Sequence, residues 1–144
     1  TPSASIPVRV DERPYFGVGK YTTAWDMSRL WRAIWLASAG RGPLRRAQPG
    51  FTVADARHLL WWLAHVRDWR KLDTSLRGRA GISVLHKAGW VNQARHDTGL
   101  VFWPRGVFVA SVMTWRPGGV GASSDRFQGR IARISYDRFR RSGP

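Results

Sequence analysis

Cysteine is missing from this 144-residue chain, and acidic side chains are scarce, nine against 24 lysines and arginines. Without thiols there is no disulfide framework, no zinc-thiolate site and no thiol nucleophile, and the redox compartment is left open. Glu12 is the only glutamate. No apolar stretch approaches the roughly 18–20 residues needed to cross a bilayer, and the opening "TPSASIPVRV" has no signal-peptide h-region, so any export signal is expected outside this chain. What is abundant is positive charge and indole. A formal net charge of +15 predicts attraction to polyanions, anionic membrane surfaces or acidic wall polymers, although an arginine-rich surface that only keeps the protein soluble fits as well. Hydrophobic residues at 43%, with nine tryptophans, are enough to offset chain entropy, and the length fits one domain with a core.

Residues 1–21, with three prolines and two glycines, read as an irregular loop. "TTAWDMSRLWRAIWLAS" reads as a helix: Thr23 followed by Asp26 makes a capping-box start, and Met27, Leu30, Trp31 and Ile34 fall at helical spacing. "RGPLRRAQPG" breaks it. "FTVADARHLLWWLAHV" repeats the design, with Thr52 and Asp55 opening it and Ala56, Leu59, Leu60, Leu63 and Val66 along one face. Residues 67–79 are polar, with room for a short helical turn.

Three apolar runs follow, Ile82 to His86, Gly99 to Trp103 and Val107 to Thr114, and predict an antiparallel meander. Pro104 and Gly106 supply the second turn. Ser123, Ser124 and Asp125 are N-cap candidates for a last helix whose apolar face is Phe127, Ile131 and Ile134. The fold class is α+β without internal repeats. Its strands are apolar on both faces, which calls for cover on both sides, and the last strand leaves a long apolar edge that folded proteins normally pair.

The stretch "HKAGWVNQARHD" at residues 86–97 admits two readings, a charged turn or a binding strand. With "YTTAWDMSRLWRAI" before it and "RHDTGLVFWP" at its end, it resembles the carboxy-terminal half of the serine β-lactamases and penicillin-interacting D,D-peptidases, class A in particular, over about residues 8–140. The first segment resembles the helix after that family's omega loop, "HKAGW" its Lys-[Thr/Ser]-Gly strand, and "RHDTGLVFWP" the next strand. The resemblance implies a β-lactamase- or transpeptidase-like five-stranded antiparallel sheet flanked by helices. Three of those strands lie here, and an amino-terminal half contributes the other two and the nucleophile. On this reading residues 1–144 are one portion of a single domain: an omega-type loop at 1–21, a helical part at 22–80, strands at 81–115 and a terminal helix at 122–141.

The resemblance implies an acyl-serine mechanism on a β-lactam or D-Ala-type peptide amide, without metal or other cofactor, and an exported, periplasmic or extracellular location. The family's nucleophile sits in Ser-x-x-Lys, because a hydroxyl needs nearby basic groups before it attacks a carbonyl. No serine here has a lysine three residues later, and "SSDR" does not match the family's Ser-Asp-Asn motif. The nucleophile is therefore expected outside this chain.

By the same resemblance, Lys87 would be catalytic, its charge favouring a substrate carboxylate and tuning the serine of the second motif, and the Trp90 backbone N–H would serve an oxyanion hole. Gly89 would let substrate lie against the strand. Ala88 replaces the usual hydroxyl. Arg95 would anchor a carboxylate through its guanidinium. Glu12 would stand for the deacylating base. Bland alternatives stand beside each: a solvent-facing Lys87, a turn glycine at 89, a tryptophan packed on the sheet, and an Arg95 salt bridge to Asp97. His58 and His65 lie seven apart without a carboxylate at ligand spacing, so no metal site is expected, and "HLLWWLAH" otherwise reads as core. Gly118, Gly119 and Gly121 lack the residues of a phosphate loop. The competing function is a non-catalytic basic module for nucleic acid or an anionic wall polymer, using Arg126, Arg130 and Arg133. The reading of most tryptophans as core weighs against it, and nucleic acid is not the expected partner.

Overall fold

The computed structural model describes residues 22–142. The loop expected over residues 1–21, Glu12 with it, lies outside the described residues. Both capping boxes form. At the start of helix α1 (Ala24–Ser38) the Thr23 hydroxyl accepts the Asp26 N–H at 3.0 Å, and the Asp26 carboxylate accepts the Thr23 N–H at 3.2 Å. Thr52 and Asp55 repeat this at helix α3 (Val53–Ala64), at 3.1 and 2.8 Å. Each box satisfies helix-end donors that would otherwise lack partners. Between them the stretch expected only to break the chain holds a short helix, α2 (Pro43–Ala47). Proline fits its first turn because the missing N–H has no intrahelical partner there.

After a single 3-10 turn at Lys71–Ser75 come the strands, β1 (Ser83–Val91), β2 (Ala94–Trp103) and β3 (Gly106–Trp115), antiparallel in the order β1-β2-β3. The first hairpin turns on Asn92 and Gln93, so most of "HKAGWVNQARHD" is strand. The second turns on Pro104 and Arg105, and Gly106, expected in the turn, is already paired with Trp103. Helix α4 (Ala122–Ser142) closes the described chain. Ser123, Ser124 and Asp125 occupy its first turn and do not stand ahead of it as caps.

The sheet is covered on both faces. On one, Trp31 and Ile34 of α1 and Leu60 of α3 meet Leu100, with Leu85, Phe102, Val107 and Val109 packed around them. On the other, Val101, Phe108, Ala110 and Val112 meet Leu72 and Leu76 beside the 3-10 turn and Ala132 of α4. Trp31 also donates its indole N–H to the Thr98 hydroxyl at 2.7 Å, which fixes α1 to the central strand.

Helix α4 departs from expectation in phase. Its buried residues are Ser124, Asp125, Gln128, Gly129 and Ala132, whereas Phe127 and Ile134 are 50% and 57% exposed. The cause is close packing of small residues: a Cβ at position 129 would stand 2.8 Å from the Lys71 carbonyl, so the helix turns its narrow side to the 3-10 turn. The tryptophans depart as well. Five of the nine, Trp25, Trp61, Trp62, Trp69 and Trp90, are more than half exposed, so "HLLWWLAH" is core only on its leucine side.

Candidate functional site

The site is built on β1, at the edge of the sheet. Side chains alternate across a strand, and the register fixes which face each takes. Lys87, opposite Thr98, and Gly89, opposite His96, lie on the α1/α3 face with Leu85. His86, Ala88 and Trp90 lie on the α4 face, with Asp97 and Arg95 of β2.

Backbone direction alternates too. Arg116 N–H donates to the Gln93 carbonyl at 2.9 Å, so odd residues of β2 address β3 and even residues address β1. Val91, Gly89 and Lys87, opposite Ala94, His96 and Thr98, therefore spend their backbone groups on β2. His86, Ala88 and Trp90 turn theirs outward, to an edge with no partner strand among the described residues. The Lys87 ammonium folds onto this edge and donates to the Ala88 carbonyl. One edge thus carries a cation, a carbonyl and the Trp90 N–H, and Gly89 leaves the adjoining face bare: a Cβ there meets nothing within 4 Å. Gly89 has no positive φ and sits in mid-strand, which removes the turn-glycine reading.

Ala88 is 4% exposed and faces away from Lys87. The Trp90 side chain is 57% exposed and lies over the Lys71 ammonium, 4.7 Å from ring centroid to nitrogen. Lys71 is fully buried, bonded to Asp68 at 2.8 Å, and holds a left-handed φ of 61°. Burial works to raise the Asp68 carboxyl, but hydrogen bonds from Lys71 and Arg70 outweigh it and bring the carboxyl down to about 2.

Arg95 is not brought to Lys87. It lies on the opposite face and pairs with Asp125 of α4 at 2.9 Å, so it anchors that helix. The expected Arg95–Asp97 bridge is likewise absent. Asp97, fully buried, takes His86 Nδ1 at 2.8 Å and the Leu72 N–H at 3.1 Å. Burial alone would lower His86, but the hydrogen bond and charge of Asp97, with Asp73 and Asp68 behind it, hold it above its ordinary range. His96 lies beside Gly89 on the Lys87 face, and burial keeps its ring below the ordinary range despite the Arg95 backbone. Its Nδ1 accepts the Thr114 N–H at 3.3 Å, which leaves the ring proton on Nε2.

Neither the Asp68–Lys71–Trp90 group nor the His86–Asp97 pair was read from the sequence. Strand parity about Asn92–Gln93 was the available signal for the second, since it puts residues 86 and 97 on one face. Among the described residues no three His, Asp or Glu side chains gather as metal ligands. A concavity between the end of β3 and the start of α4, lined by Thr114, Arg116, Val120, Ser124 and Phe127, contains none of the expected site residues.

Against known proteins, the family model described as the β-lactamase enzyme family matches residues 8–139. The chain belongs to that family. Solved structures agree in fold. A β-lactamase from Sphaerobacter thermophilus shares 19% identity at a TM-score of 0.66, over 82% of this chain and 40% of that one. A mutant of PBP-A, captured as an acyl-enzyme complex with penicillin G, shares 20% at 0.68, over 85% and 42%. An ancestral class A β-lactamase shares 20% at 0.63, over 88% and 47%. The chain thus spans less than half the length of these relatives. Among curated proteins none matches.

Proposed function

We propose that this chain forms the β1 wall of an acyl-serine hydrolase cleft acting on a β-lactam or a D-Ala-type peptide amide. The observation that carries the reading is the free edge of β1, where the Lys87 ammonium, the Ala88 carbonyl and the outward Trp90 N–H line up beside a glycine whose missing side chain the fold does not require. An extended substrate would lie along this edge. The Trp90 N–H is a fixed donor for charge developing on a carbonyl oxygen, and Lys87 supplies the counter-charge for a carboxylate. Ala88 offers no hydroxyl, and its buried methyl leaves the carboxylate to Lys87. Arg95, held by Asp125 on the far face, has no part in this wall.

The serine and its activating base would come from an amino-terminal portion of the same domain, as a preceding segment or a separate chain. Support for this division comes from the coverage of the solved relatives and from two features among the described residues, the absence of a strand paired on the outer side of β3 and the exposed Phe127 and Ile134 of α4. An exported location follows from the same family reading. No helix among the described residues is long and apolar enough to cross a membrane.

The test is labelling of the native material with a fluorescent penicillin, followed by mass spectrometry. The expected adduct is on the serine of a Ser-x-x-Lys segment that accompanies or precedes this chain, and on none of the serines within it. No adduct with both portions present would overturn the reading.

A further inference from the structure

Three buried ionisable side chains, Lys71, His86 and Asp97, stand behind the β1 edge. Buried ion pairs stabilise a fold little more than apolar groups of the same shape, because desolvation offsets their attraction. What a fully bonded polar network adds is fixed geometry. Here both attachments reach the edge from one turn. Ala88 is opposite Asp97 in register, so His86 and Trp90 stand two residues to either side of it. The Leu72 N–H holds His86 through Asp97, and Lys71 holds the Trp90 ring. Residues 71 and 72 thus fix both ends of the segment that carries Lys87 and the Trp90 N–H. The turn is itself pinned, since a Cβ at Gly129 of α4 would stand 2.8 Å from the Lys71 carbonyl. Lys71 also keeps its left-handed φ of 61°, a conformation that costs energy in any residue but glycine and gathers at functional sites. Such ties matter on an edge, because the outward backbone groups of His86, Ala88 and Trp90 have no partner strand among the described residues.

The strength of the tie depends on the charge of the ring. Asp97 on β2, Asp73 on the 3-10 turn and Asp68 before it act on His86. The cations beside them are engaged, Lys71 with Asp68, Arg77 with Asp73, and Arg95 with Asp125 of α4. Burial works against a charged ring, and the three carboxylates outweigh it. While charged, His86 makes a charge-assisted hydrogen bond to Asp97; once neutral, it makes a bond about half as strong.

We propose that His86 is a positioning residue for the cleft: its ion pair with Asp97, anchored on the 3-10 turn, sets the place of the Trp90 N–H on the β1 edge. The proposal rests on the reading of that edge as a cleft wall. His86 touches no substrate on this account. It acts through the strand, and its charged form holds the strand more firmly than its neutral form.

The experiment is stopped-flow acylation of the whole domain, amino-terminal portion included, by a fluorescent penicillin, resolved into initial binding and the acylation rate constant at pH values around and above 6.5. His86→Gln keeps a hydrogen-bond donor and removes the charge. Its acylation constant should fall about tenfold with initial binding little changed, because a displaced Trp90 N–H is felt by charge developing on the carbonyl oxygen and hardly by the bound ground state. The parent's acylation constant should decline as pH rises through the His86 titration, and the variant should lack that step. Val101→Ala, a core change on the same face of the sheet, lowers stability and should leave both constants of the folded protein at the parent's values. In the parent itself the Trp90 amide proton resonance should follow the His86 titration, which tests the proposal even where the variant does not fold. A parent that takes no penicillin overturns the cleft reading and this proposal with it. An acylated parent whose Trp90 resonance ignores His86, or a His86→Gln protein with the parent's acylation constant and pH profile, overturns the positioning role alone. So does a loss that Val101→Ala reproduces, since stability and not position is then what was lost.

Discussion

His86 of β1 donates through Nδ1 to both oxygens of Asp97 on β2, at 2.8 and 3.0 Å, with side chains 4% and 0% exposed. The pair sits directly behind Lys87 and Ala88 and ties the edge strand through Asp97 to the Leu72 N–H of the 3-10 turn. Because His86 titrates above its ordinary value of 6.5, its contribution to stability is complete below that pH and is lost as pH rises through the folded value. His96, shifted down, has the opposite sign and acts below 6.5, where stability falls as pH falls. Urea unfolding across the pH range should therefore show a decline on the alkaline side that His86→Gln abolishes, while the acid-side decline remains. A His86→Gln protein that keeps the alkaline decline sinks this assignment. Asp97→Ala leaves a buried cation and an N–H without an acceptor, and should cost about 3–5 kcal/mol.

The hydrogen bond from Trp31 to Thr98 joins α1 to the middle strand opposite Lys87. Thr98→Val keeps the shape and removes the acceptor, leaving a buried indole N–H unpaired. The expected loss is about 1–3 kcal/mol, and the Trp31 indole proton should exchange faster in hydrogen-exchange spectra. A neutral result would mean the helix is held by packing alone.

Lys71 has a left-handed backbone, a buried ammonium and a place beneath the Trp90 ring. Lys71→Met should cost about 1.5–3 kcal/mol, the range for a hydrogen bond to a charged group, and should change Trp90 emission. A double-mutant cycle with Trp90→Ala reads the ring contact separately, at about 0.5–1 kcal/mol. Asp68 gives a second handle. Its carboxyl is brought down to about 2 from 3.8, so its contribution is present above 3.8 and disappears as pH falls through about 2. Acid unfolding of Asp68→Asn should be flatter than the parent's in that window.

The starts of α1 and α3 and the meander were legible because their causes are local: a threonine three residues before an aspartate, and alternating or continuous apolar runs. The full length of β1 was not, because His86 to Trp90 reads as polar when one backbone edge and one face are open to solvent. Its residue types were legible and their sides were not. Arg95 was placed with Lys87 for want of the turn position, and one residue of parity separates a shared cleft from opposite faces. Phe127 and Ile134 have helical spacing, yet the small residues at 129 and 132 decided which side of α4 could approach. Periodicity records that a helix has an apolar face and says nothing of which neighbour covers it.

Gly99 and Gly89 lie on adjacent strands, and the structure demands opposite things of them. A Cβ at position 99 would stand 2.3 Å from the Leu85 carbonyl and 2.7 Å from the His86 Cβ, so a side chain there must push β1 away from β2. Gly99→Ala should be strongly destabilising, by about 3 kcal/mol or more, as overpacking against backbone allows little relief. At Gly89 the added methyl meets open space on the Lys87 face. Gly89→Ala should therefore unfold within about 1 kcal/mol of the parent, since alanine is tolerated in a strand. Yet the same methyl would stand where an extended substrate approaches the β1 edge. With the amino-terminal portion present, penicillin labelling should slow markedly in Gly89→Ala at unchanged stability. If labelling is unaffected, substrate does not lie along this edge and the wall must be sought elsewhere; if stability falls as at Gly99, position 89 is a packing glycine.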